Sequence, residues 1–93
     1  MEKLTQEQIA AALSDLDGWE QQEDAIVRTF RFHDFIGSVN FVNALAEVAE
    51  GMQHHPDIDI RYNKVTLRLA THEAGGVTQR DVELAQAADH SAR

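Results

Sequence analysis

Glu50, His54, His55, His72 and Asp81 are the residues of this chain whose types and spacing point to chemistry. Imidazole, with an unperturbed pKa of about 6.5, can give or take a proton near neutral pH, and three such rings beside a carboxylate would make a compact acid/base site. Glu50 lies one helical turn before His54, and the only proline, Pro56, follows His55 and biases it away from helical geometry. Three histidines and a glutamate could also be read as zinc ligands. Adjacent residues seldom both reach one ion, however, and no His-x-x-x-His or Glu-x-x-His cage recurs at helical positions, so no metal is expected. There is no cysteine, hence no thiolate nucleophile and no disulfide. Ser14, Ser38 and Ser91 are not in nucleophile-elbow contexts, and no glycine-rich phosphate loop occurs. Plainer roles exist for each residue. A histidine at a helix end is favoured by the dipole, Glu50 suits a solvated helix face, and Tyr62 suits a packed strand. Asp81 reads first as a capping carboxylate, and His33 and His90 read as surface residues.

These side chains must be positioned by the elements around them. Thr5 with Gln8 fits a capping box and Leu4 with Ile9 a hydrophobic staple, opening a helix through Ile9, Leu13 and Leu16 that ends at Asp17-Gly18. Trp19 to Gln22 and Ala25 to Phe32 read as a hairpin around Glu23-Asp24, with Ile26, Phe30 and Phe32 on one face. Asp34 can cap a second helix running to about Gln53. Its apolar residues spread over roughly 220°. Such a helix is either deeply buried or has two apolar surfaces, one for its own sheet and one for another subunit. After Pro56, Ile58, Ile60 and Tyr62 alternate with polar residues; Val65, Leu67 and Leu69 do so beyond an Asn63-Lys64 turn. A loop with Gly75-Gly76 leads to Thr78 and Asp81, a second capping box, and a last helix through Leu84, Ala85 and Ala88. The order αββαββα predicts an α+β domain, an antiparallel sheet with helices on one face. A tight second hairpin would bring His72 to the same rim as His54 and His55.

At 93 residues the chain reads as one small domain, a size at which self-association is a common remedy for a small core. With 16 acidic and 8 basic side chains its formal charge is -8, which argues against nucleic-acid and anionic-membrane partners and for a small molecule or a protein. The MEKLTQEQ start has no apolar segment of the export type, so a cytoplasmic location is expected.

Taken together, Glu50, His54-His55-Pro56, Tyr62, His72 and Asp81 resemble the signature of the pterin-4a-carbinolamine dehydratases. The likeness continues through Gly18-Trp19, FRFHDF at Phe30 to Phe35, YNKV at Tyr62 to Val65 and THEAGGVTQRD at Thr71 to Asp81. It implies a four-stranded antiparallel sheet with three helices packed on one face, assembled as a homodimer or homotetramer through edge strands and the long second helix. It implies dehydration of 4a-hydroxytetrahydropterin (4a-hydroxytetrahydrobiopterin), the product of aromatic amino-acid hydroxylases, to quinonoid dihydropterin, with no cofactor and no metal. By resemblance His54, His55 and His72 form the catalytic set, with His54 and His72 exchanging protons and His55 orienting the pterin. Glu50 would bond its polar edge, Thr71 and Asp81 would belong to the substrate-binding residues, and Asp81 would fix the loop or orient His72. Two positions depart from the pattern: Gln53 stands where an acidic residue is common, and Ile58 where a tryptophan is frequent. The alternative implied by the same family is a protein-interaction module, coactivator-like, using the apolar face of the second helix.

Overall fold

A computed structural model describes residues 2–93. Helix α1 (Gln6–Leu13) opens on the expected reciprocal cap: the Gln8 N–H donates to Thr5 Oγ1 (3.1 Å) and the Thr5 N–H to Gln8 Oε1 (2.8 Å). It stops earlier than its apolar spacing suggests. The Ser14 hydroxyl donates to the Ala11 carbonyl (2.6 Å), and the chain continues in successive tight turns that still bury Leu16. Serine and aspartate compete for backbone groups in this way and end helices that apolar spacing alone would extend.

Strands β1 (Glu20–Gln22) and β2 (Ala25–Arg31) form the first hairpin, each one residue shorter than expected at its outer end. On the inner face Phe30 meets Trp19 edge-on (centroids 6.0 Å) and Phe41 at 4.8 Å, while Phe32 reaches Phe41 at 5.0 Å. Asp34 caps α2 (Phe35–Met52) by accepting the Gly37 N–H at 2.8 Å. The helix buries one stripe, Ser38, Phe41, Leu45 and Ala49. Phe35 and Ile36 are left 50% and 62% exposed. The deeply buried central helix is therefore not what forms, because the wide apolar arc exceeds what one sheet face covers.

Strands β3 (Asp57–Arg61) and β4 (Lys64–Leu69) form the second hairpin, and the sheet order is β1-β2-β4-β3, antiparallel throughout. Arg61 pairs with Lys64, so the turn residues are Tyr62 and Asn63. Tyr62 has φ +54 and is 65% exposed, which corrects its reading as a packed strand aromatic. Central β4 buries Val65, Leu67 and Leu69, whereas edge strand β3 leaves Ile58 and Ile60 half-covered. Helix α3 (Gln79–Ser91) adds Val82, Leu84, Ala85 and Ala88 to the core. Its far end is tied down by Asp89, which accepts from Trp19 Nε1 (2.9 Å) and Arg28 Nη1 (2.8 Å). The result is the expected α+β architecture. Among the described residues no helix is long and apolar enough to cross a membrane.

Candidate active site

Asp57 opens β3 opposite Arg68, and Leu69 ends β4. The α2–β3 connection and the segment after β4 therefore emerge at the same end of the sheet. The first connection carries His54 and His55, the second Thr71 and His72, so residues far apart in sequence come to one end of the sheet. Gln53 takes the left-handed conformation (φ 52, ψ 42). A residue other than glycine pays roughly 1–2 kcal/mol there. Its N–H turns back to the Glu50 carbonyl and that of His54 to Ala49, both at 3.1 Å, the paired bonds of a Schellman turn. The turn reverses the chain and directs the His54 side chain inward.

His54 is 8% exposed, and its Nε2–H donates to Asp81 Oδ1 at 2.5 Å. The other oxygen of Asp81 accepts the Thr78 N–H (2.9 Å) and the Thr71 O–H (2.8 Å). Since the only hydroxyl proton of Thr71 is used there, the Thr78 O–H donates to Thr71 Oγ1 at 2.7 Å. Three of these donors thus end directly on Asp81, which is fully buried, and the Thr78 hydroxyl reaches it through Thr71. With Nε2 carrying the proton, Nδ1 is the ring nitrogen of His54 that Asp81 does not engage. Such a chain of oriented bonds fixes both the ring angle and the tautomer.

His55 and Glu50 make a separate pair, Nε2 to Oε2 at 2.5 Å, with both side chains mostly exposed. His72 begins a single 3₁₀ turn, His72–Ala74, and is also exposed. His54, His55 and His72 line one open pocket of about 380 Å³, with Pro56, Asp57 and Glu73 among its other walls. Asp57 and Glu73 make the rim acidic, which disfavours anionic ligands.

The structure thus brings the three sequence-predicted histidines together at one pocket. It also places the three carboxylate and hydroxyl positions, Glu50, Thr71 and Asp81. Asp81 fixes the 71–78 loop, as one expectation had it, but the ring it grips is that of His54 and not that of His72. Thr71 and Asp81, expected among the substrate-binding residues, are 2% and 0% exposed and present their polar atoms to each other. Glu50 bonds His55. Thr78 is the capping partner of Asp81 that the sequence indicated, but its hydroxyl bond to Thr71 was not read from the sequence, nor was Arg80, whose Nη2 donates to the Met52 and Gln53 carbonyls (3.0 and 2.9 Å).

The family model described as pterin 4 alpha carbinolamine dehydratase matches residues 2–91. A Thermomicrobium roseum protein carrying the provisional name pterin-4-alpha-carbinolamine dehydratase is 54% identical over 92% of each chain. A Mycobacterium avium protein with the same provisional name is 51% identical, again over 92% of each. The crystal structure of a transcriptional coactivator/pterin dehydratase from Brucella melitensis superposes with a TM-score of 0.96 at 37% identity, covering 99% of this chain and 100% of that one. A match that spans nearly the whole chain, in sequence and in backbone, leaves one assignment: the chain belongs to the pterin 4 alpha carbinolamine dehydratase family.

Proposed function

We propose that this protein dehydrates 4a-hydroxytetrahydropterins, of which 4a-hydroxytetrahydrobiopterin is the type, to quinonoid dihydropterin and water. The observation that carries the proposal is the convergence of His54, His55 and His72 on one pocket, with His54 held by a buried carboxylate. In the reaction the C4a–O bond breaks, the hydroxyl leaves as water after receiving a proton, and the N5 proton is removed as the C4a=N5 double bond forms. One group must give a proton and another must take one. His54 is the base in this reading: with Nε2–H directed to Asp81, its Nδ1 can accept, and Asp81 stabilises the resulting imidazolium. His72, across the pocket, is the acid that protonates the leaving hydroxyl. His55, paired with Glu50, binds and orients the pterin, while Thr71 and Asp81 act through His54 without touching the substrate. No metal or cofactor has a part, and the physiological role is recycling of the pterin used by aromatic amino-acid hydroxylases. The working form is a homodimer or homotetramer in the cytoplasm.

A second reading is favoured by one observation. Phe35, Ile36 and Tyr62 are exposed, and the Brucella melitensis protein is described as a transcriptional coactivator as well as a dehydratase. A protein-binding module would use such a surface and would not need the histidines. The assay that separates the two follows freshly generated 4a-hydroxytetrahydropterin by absorbance, with and without chelator-treated protein. The dehydratase reading predicts decay in proportion to protein concentration above the uncatalysed rate, unchanged by chelation. Decay at the background rate would favour the binding module, and activity lost to chelator and restored by zinc would bring in a metal.

A further inference from the structure

The carboxyl end of α2 carries the two adjacent histidines, and its last carbonyls have no partner within the helix. The Schellman bonds from Gln53 and His54 satisfy those of Glu50 and Ala49. Beyond Gly51, the Met52 and Gln53 carbonyls both face Arg80, whose single Nη2 amino group has two hydrogens and lies 3.0 and 2.9 Å from them. Arg80 immediately precedes Asp81 in the first turn of α3. Two consecutive residues therefore grip the same turn, the Arg80 guanidinium at the Met52 and Gln53 carbonyls and Asp81 at the His54 ring. Gln53 holds a left-handed conformation without the freedom of glycine. A turn of that kind needs support from outside itself, and Arg80 supplies it.

We propose that Arg80 is a positioning residue for the acid/base site. By holding the Met52 and Gln53 carbonyls it sets the angle at which His54 and His55 leave α2, and so their placement opposite His72. This rests on the reading of His54 and His72 as the proton-transfer pair. Displacement of a catalytic group by about 1 Å can cost up to about a hundredfold in rate, and a cap lost at this turn acts on both histidines at once.

The test compares Arg80→Met, which keeps the apolar stem and removes both donors, with Arg80→Lys, which keeps one cationic donor group without the planar geometry. Two quantities are read well below the melting temperature: turnover, and solvent exchange of the His54 Nε2–H proton by NMR. Leu84→Ala, a core change in the same helix, serves as the control for stability alone. Arg80→Met is expected to lower kcat roughly ten- to a hundredfold with a smaller change in KM, and to speed ring-proton exchange. Arg80→Lys should fall between it and wild type in both. Unchanged kcat and exchange, or changes no larger than those of Leu84→Ala at matched stability, would overturn the proposal. If Arg80→Met does not fold, Arg80→Lys decides by the same two readings, wild-type values counting against Arg80. If wild-type protein shows no dehydratase activity, the functional reading fails, and ring-proton exchange alone decides whether Arg80 holds His54.

Discussion

Asp81 accepts three hydrogen bonds in a fully buried position, and removing it would strand the Thr71 hydroxyl, the Thr78 N–H and the His54 ring together. Each buried polar group left without a partner costs about 1–3 kcal/mol, so Asp81→Ala should lower the unfolding free energy by at least about 2 kcal/mol, measured from urea midpoints. Glu50→Ala removes a carboxylate of similar bond length from an exposed pair, worth less than about 1 kcal/mol. Its urea midpoint should stay near wild type while KM for the pterin rises. Equal destabilisation by the two changes would contradict the division between a buried, orienting carboxylate and an exposed one. Much of this was legible at the level of residue type. The Thr78 to Asp81 spacing announced a capping carboxylate, and that bond forms. Which histidine Asp81 would meet was not legible, because its partner His54 lies 27 residues away and no local period encodes that distance. Arg80 gave no signal at all, since its partners are backbone carbonyls, which every residue has.

Among the elements, α2 is the one whose surface exceeds its own fold. Leu45 is fully buried against its own core, so a charge there would report on folding, whereas Ile36 is 62% exposed and Phe35 50%. If α2 pairs with other subunits, Ile36→Lys should lower the mass seen by light scattering at micromolar concentration while the protein stays folded, since a buried unpaired ammonium is costly at an interface and harmless in water. Wild-type protein already at the 10.4 kDa monomer mass would contradict self-association. Caps and periodicity made the helix starts readable: Thr5 and Asp34 stand at the expected positions. The ends read less well. Ser14 ends α1 by a side-chain bond to the backbone, and the pairing of Arg61 with Lys64 pulls Tyr62 out of its strand into the turn. Both are choices between local and tertiary bonds that alternation of apolar residues does not reveal.

Across the whole molecule, the sheet order decides the site. Because β4 lies between β2 and β3, its outgoing segment runs beside the α2–β3 connection, and α3 then returns to place Asp81 beneath both. One pocket with three imidazoles follows from that path. The claim most open to test is that His54 and His72 each carry one proton of the dehydration. The measurement is turnover of freshly prepared 4a-hydroxytetrahydropterin by wild type, His54→Ala, His72→Ala and the double variant, each corrected for the uncatalysed reaction. Each single change should lower kcat by roughly 10²- to 10⁴-fold, and the double variant should lose much less than the product of the two, because groups that serve one step do not act independently. Single variants that turn over at the wild-type rate would contradict the account.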